Sequence, residues 1–234
     1  MTDHSSEIGL DPSPVALEYT VTGEGAPVVF THGWLNTGEV WSSAVEHLDG
    51  RVRALQWDLR GHGRSEAAEP GNYGRSFALA DLSRMIEVAG QPAILVGHSL
   101  GGYLSLAQAI LDPAAVAGLV LVAAGPGFRS MRSLEQWNDS VRSMAANADI
   151  PPGMEEISMH VDAMVMDRLG EIAVPVMTIV GERDKRFLSS ADVFDKHLDV
   201  RKRTIVADAG HMVHAKRGEV VANAVIDLEA IVSA

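Results

Sequence analysis

One stretch narrows the fold before anything else is read, the run from Ala93 to Asp112. Ala93-Ile94-Leu95-Val96 follows Pro92 as a short apolar run and predicts a buried strand. From Gly102 to Asp112, apolar residues recur at Leu104, Ala107 and Leu111, and again at Tyr103, Leu106 and Ile110, so the segment predicts a helix. Between the two stands Gly97-His98-Ser99-Leu100-Gly101, a G-x-S-x-G turn. A strand that passes into a helix through so few residues holds one serine above the carboxyl edge of a sheet. Gly97 and Gly101 flank Ser99 because a side chain at either place would collide across the turn. Strain at the serine is tolerated since the strand and the helix grip it from both sides.

The rest of the chain repeats the same alternation. Val15 to Thr22 is rich in β-formers and predicts a strand, with Gly23-Glu24-Gly25 as its turn. Pro27 to Thr31 predicts a buried strand ending at His32-Gly33-Trp34-Leu35-Asn36. A short helix is expected over Trp41 to Leu48, and a strand over Arg51 to Trp57. A helix from about Ser76 to Ala89 turns Leu79, Leu82, Met85 and Ile86 to one face. After the elbow helix, Ala117 to Ala124, Val174 to Val180 and Thr204 to Val206 complete the strands, and a last helix runs to about Val232. Residues 1–14 are polar and are expected to be loose at their start. Strand and helix in alternation imply an α/β fold, a mainly parallel twisted sheet with helices on both faces.

With four motifs in place, the chain resembles the α/β-hydrolases, of the small kind with a Ser-Asp-His triad. The resemblance spans nearly the whole chain. It implies that Ser99 is the nucleophile, that Asp184 in Gly181-Glu182-Arg183-Asp184 is the triad acid, and that His211 after Gly210 is the base. The acid must fix the imidazole tautomer and stabilise the imidazolium. Glu182 and Asp208 compete for that role by position, and His214 is a second nearby histidine. The His-Gly pair after the second strand implies an oxyanion loop, so the backbone N–H groups of Trp34 and Leu100 are expected to face one developing oxyanion. Asp58-Leu59-Arg60-Gly61-His62-Gly63-Arg64-Ser65 matches the family's glycine-rich turn and is read as structural, as is His32. The family's triad acid position after Ala124 is empty here, since Gly125-Pro126-Gly127 stands there. Past the histidine, the family's acidic residue and proline are replaced by Lys216-Arg217-Gly218, which leaves the start of the last helix open.

Residues 126–170 break the alternation and resemble a short lid inserted into one domain whose core is 1–125 and 171–234. Leu134, Trp137, Val141 and Met144 make one helical stripe. Pro151 and Pro152 open a second, with Ile157, Val161, Met164 and Val165. Six of the chain's ten methionines lie here, and an unbranched side chain suits an adaptable pocket roof as well as ordinary packing. Trp34, Trp137, Met144, Met164 and Met212 are the expected pocket residues.

Composition limits the rest. The chain has 234 residues, enough for one domain, and 19 basic against 31 acidic residues argue against nucleic acid or an anionic membrane as partner. It has no cysteine, which excludes thiolate catalysis and disulfides and suits a cytoplasmic setting. No signal peptide is read at Met1 to Glu7, and no apolar run is long enough to span a bilayer. No metal or organic cofactor is expected. The resemblance implies hydrolysis of a small, largely uncharged carboxylic ester or lactone through a Ser99 acyl-enzyme. Perhydrolase or haloperoxidase-like action, carbon–carbon bond hydrolysis, and ligand sensing with a retained triad are the alternatives. Composition and motifs do not fix the oligomeric state.

Overall fold

The computed structural model describes residues 13–234. The expectation of a loose start therefore falls, except for its last two residues, outside the described residues. Seven strands form one sheet in the order β1-β3-β2-β4-β5-β6-β7. They are β1 Tyr19–Thr22, β2 Pro27–Thr31, β3 Arg53–Trp57, β4 Ala93–His98, β5 Val116–Val122, β6 Val176–Gly181 and β7 Val200–Val206. Only β1 runs antiparallel, against β3, and the other five pairings are parallel. The order reverses around β2 and β4, which places the carboxyl end of β4 at the middle of the sheet, where open α/β sheets bind ligands.

The described residues form eight α-helices: α1 Ser42–Leu48, α2 Arg75–Ala89, α3 Leu100–Leu111, α4 Met131–Ala145, α5 Met164–Arg168, α6 Lys185–His197, α7 Val213–Lys216 and α8 Gly218–Val232. The central strands are apolar on both faces, and their period of two divides the core in half. Ala93 and Leu95 of β4 pack with Leu79 and Leu82 of α2 and Leu104 of α3. Ile94 and Val96, pointing the other way, pack with Leu48 of α1 and Val221, Val225 and Leu228 of α8.

Four departures from the sequence reading have visible causes. The expected first strand shortens to Tyr19–Thr22, because Ala16 and Glu18 spend their backbone groups elsewhere. Their N–H groups donate to Glu66 Oε2 and Ser65 Oγ, and their carbonyls accept from the N–H groups of Glu66 and Asp58. β7 begins four residues earlier than Thr204, pairing Val200 with Val176. A helix not anticipated, α6, fills Lys185–His197. The second stripe of the 126–170 segment is not one helix. It is a 3-10 turn over Met154–Ser158, an irregular stretch, then the short α5. Val161 falls in that irregular stretch and is 70% exposed. The last helix starts at Gly218 because that residue meets α1 directly: a Cβ there would sit 2.5 Å from Ser43 Oγ.

Candidate active site

Ser99 lies between the end of β4 and the first residue of α3, with φ +51° and ψ −111°. Such a backbone is strained for a residue with a Cβ, and it persists because both flanks are fully packed. The glycines behave as the turn requires, though not identically. A Cβ on Gly97 would lie 2.4 Å from the Gly101 carbonyl, across the turn. A Cβ on Gly101 would instead strike the neighbouring strand, 2.2 Å from the Thr31 carbonyl oxygen.

The Asp184 carboxylate and the His211 ring meet at 2.7 Å, Oδ2 to Nδ1. Asp184 follows β6 and its side chain is 9% exposed, while the imidazole is more open. The two other carboxylates point away: Asp208 is exposed and pairs with Arg183, and Glu182 accepts from the Asp208 N–H. With Nδ1 committed to Asp184, the ring keeps Nε2 for other work. Neither Nε2 nor Ser99 Oγ makes a hydrogen bond among the described residues, and both residues line one cavity of about 740 Å³. Such contacts are often looser before substrate binds.

Trp34 and Leu100 line the same cavity. Leu100 is the first residue of α3, so its N–H has no partner within the helix. Gly33 is required for space rather than for its own φ, since a Cβ there would lie 2.6 Å from His98 Nδ1. The positive φ of that loop falls at Leu35, at +61°.

A row of neutral histidines supports the site from beneath. His98 Nε2 donates to the His211 carbonyl at 3.1 Å and so ties the serine turn to the histidine loop. Burial pushes the His98 pKa well below 6.5, and neighbouring His214 and His211 add to the shift. His214, the second nearby histidine, is fully buried between Trp41 and His98, and burial lowers its pKa to about 3. His32 donates from Nδ1 to the Gly33 carbonyl and accepts the Leu59 N–H at Nε2. Burial brings its pKa to about 3 as well. In the Asp58–Ser65 turn, the Asp58 carboxylate accepts from the Gly38 and Arg64 N–H groups, and Arg60 pairs with buried Asp81.

Of the five expected pocket residues, Trp34, Trp137, Met144 and Met212 line the cavity. Met164 does not. It is 6% exposed and packs in the core, because α5 lies on α3. The sequence reading missed Phe128, His160 and Phe187, which also line the cavity. Phe187 stacks on the His211 ring with centroids 4.8 Å apart. The spacing of Phe187, Ala191 and Phe194 was its available signal, since it marks one face of α6.

A sequence profile of the alpha/beta hydrolase fold matches residues 26–150, more than half the chain. The chain belongs to the alpha/beta hydrolase family. Among its relatives in that family is a pimeloyl-[acyl-carrier protein] methyl ester esterase of Nitrosomonas europaea. It is 33% identical over 148 residues, which cover 62% of this chain and 49% of that protein. The corresponding esterase of Nitrosospira multiformis is 31% identical over 137 residues, 58% of this chain and 52% of the relative. The chain thus spans about half the length of the curated relatives it matches. A solved structure from work on carboxylesterases of Nitrososphaera gargenis superposes with a TM-score of 0.78 at 18% identity, covering 95% of this chain and 97% of the other. At that identity the likeness is one of alpha/beta hydrolase fold. No helix among the described residues is long and apolar enough to cross a membrane.

Proposed function

We propose that this protein is a serine hydrolase of carboxylic esters, with Ser99 as nucleophile, His211 as base and Asp184 as the acid that orients it. The observation that carries the reading is the 2.7 Å Asp184–His211 contact, at the rim of the cavity that holds the strained Ser99. The names of the relatives as methyl ester esterases point the same way.

The steps follow from the positions. His211 Nε2 takes the Ser99 proton as Oγ attacks the substrate carbonyl carbon. The carbonyl π electrons move to oxygen, and the N–H groups of Trp34 and Leu100 receive that oxyanion. As the carbonyl re-forms, the bond to the alcohol oxygen breaks and the alcohol leaves with the proton from His211. Water, deprotonated by the same nitrogen, attacks the acyl-enzyme, and Ser99 is regenerated with release of the acid. Asp184 holds the imidazolium through Nδ1 and stays ionised.

The substrate reading is a largely uncharged ester or lactone of small to medium size. A volume of about 740 Å³ suits it, and Asp184 and Arg186 are the only Asp, Glu, Lys or Arg side chains among the described lining. Residues 126–170 act in this reading as a short lid, since Phe128, Trp137, Met144 and His160 come from that segment. The decisive experiment compares wild type with Ser99→Ala on a panel of short-chain nitrophenyl esters and lactones. Wild type should turn over with a burst of acyl-enzyme, and Ser99→Ala should fall to background. Equal slow hydrolysis by both would end the reading.

A further inference from the structure

His160 is held as binding groups are held, and nothing in the hydrolytic steps uses it. It stands in the irregular stretch between the Met154–Ser158 turn and α5. Asn138 of α4 clamps its backbone twice: Asn138 Nδ2 donates to the His160 carbonyl at 2.8 Å, and the His160 N–H donates to Asn138 Oδ1 at 2.9 Å. Aromatic rings enclose the imidazole. Tyr103 and Phe128 meet it edge-on at 4.5 and 5.3 Å, and Trp137 at 6.1 Å. The residue is 9% exposed, and it lines the cavity.

Inside this enclosure the ring has no protein partner for either nitrogen among the described residues. Nδ1 is wholly buried beside Gly127 and without a hydrogen bond, so Nε2 is the nitrogen left to face the cavity. A buried imidazole usually finds partners, because each polar group left alone costs desolvation energy. His214 is equally unpartnered but closed off between Trp41 and His98; His160 instead lines the cavity, and its pinned backbone and open Nε2 suit it to hold a ligand group.

We propose that His160 is a specificity-determining residue that hydrogen-bonds an uncharged oxygen of the substrate, a hydroxyl or carbonyl other than the scissile ester. This deepens the esterase reading and rests on it. Tyr103 links the two places: it lies one turn beyond Ser99, its N–H donating to the Ser99 carbonyl, its ring meets the His160 imidazole, and all three residues line the one cavity. An uncharged partner fits the surroundings. Arg75, the cation that acts on the ring, is already held by both oxygens of Asp162, at 2.6 and 2.8 Å, and Arg186, which lines the same cavity, lies over the Trp137 ring. Burial first, and then the Arg75 charge, lower the His160 pKa to about 4, so above that pH the ring stays neutral. In a neutral imidazole Nε2 donates in one tautomer and accepts in the other, which matches a hydroxyl in either direction.

The test uses two series of esters of graded length. One is methyl alkanoates of six, eight and ten carbons with their ω-hydroxy and ω-carboxy counterparts. The other is alkyl acetates with and without a terminal hydroxyl. Wild type, His160→Leu and His160→Gln are compared by the ratio of kcat/KM for each hydroxy ester to its plain partner. Wild type should favour the hydroxy ester at one chain length in one series. His160→Leu should lower that ratio about tenfold, the worth of one hydrogen bond, and His160→Gln should restore much of it. The same pairs are titrated into Ser99→Ala with and without His160→Leu, following the imidazole nitrogen resonances. That arm needs no turnover, so a wild type that binds the esters but does not turn them over marks failure of the esterase reading, and turnover with no His160-dependent binding marks failure of this one. A ratio and a resonance indifferent to the hydroxyl in both series would overturn the proposal. A His160-dependent preference for the ω-carboxylate would overturn the assignment of an uncharged partner.

Discussion

His214 offers a sharp test of how the histidine row behaves on acidification. Its ring is fully buried, neither nitrogen has a hydrogen bond among the described residues, and burial brings its pKa from 6.5 to about 3. The folded value lies below the unfolded one, so between the two the unfolded chain binds the extra proton. Stability from this group is therefore present above about pH 6.5 and is lost as pH falls toward 3. Integrating the two titrations from pH 7 to pH 5 gives a loss of about 2 kcal/mol for this one residue. The result depends little on the folded value, provided that it stays well below 5.

His214→Phe removes the titration and keeps an aromatic ring against Trp41 and His98, whose centroids lie 4.5 and 4.1 Å away. No hydrogen bond is given up. Equilibrium unfolding in urea at pH 7, 6 and 5 reads the difference. With a slope of about 2.5 kcal/mol per molar, the wild-type midpoint should fall relative to the variant's by about 0.8 M between pH 7 and pH 5. His32 and His160 carry pKa values of about 3 and about 4, and His62 and His98 are lowered too, so the wild type should lose stability steeply over the same range. Three such groups together give about 5–6 kcal/mol between pH 7 and pH 5, comparable to the whole stability of many domains. Stability curves for wild type and His214→Phe that run parallel from pH 7 to pH 5 would refute the reasoning. They would mean that the imidazole takes up its proton in the folded state.

The other expectations concern the reaction and the turn that carries it. Asp184→Asn should stay folded, with unchanged far-ultraviolet dichroism, and lose about 10⁴ in kcat, because the amide orients the wrong tautomer of His211. A near-normal rate would move the role to Glu182 or Asp208. Gly101→Ala puts a Cβ 2.2 Å from the Thr31 carbonyl oxygen, a backbone atom of a central strand that cannot swing aside. It should cost about 3 kcal/mol or more, seen as a large fall in Tm, and a Tm within a degree or two of wild type would show that β2 and α3 can separate.

What the sequence reveals depends on where each backbone group finds its partner. The strand–turn–helix around Ser99 is legible because every determinant is local: an apolar run, two glycines and a helical stripe within twenty residues. The strand at Val15–Thr22 is only half legible. Ala16 and Glu18 have the right side-chain pattern, but Ser65, Glu66 and Asp58 take their backbone groups. Periodicity has no access to a bond made with residues some fifty positions away.

The segment from Pro151 to Val165 fails for the same physical reason, and there the failure bears on function. Its apolar spacing fits a helix, and Met154–Ser158 does begin to turn. Asn138, from a helix that was legible, then takes both backbone groups of His160 and holds that residue outside any helix. The helix is given up at the position where an imidazole is presented to the cavity. A helical His160 would have satisfied its N–H and carbonyl within its own segment, with no need for Asn138. Asn138 therefore has a structural purpose that Asp would fulfil only in part, since a carboxylate accepts from the N–H but has nothing to donate to the carbonyl. Local preference is overruled here by one amide side chain, and the place where it is overruled is the one that the proposed specificity of the cavity requires.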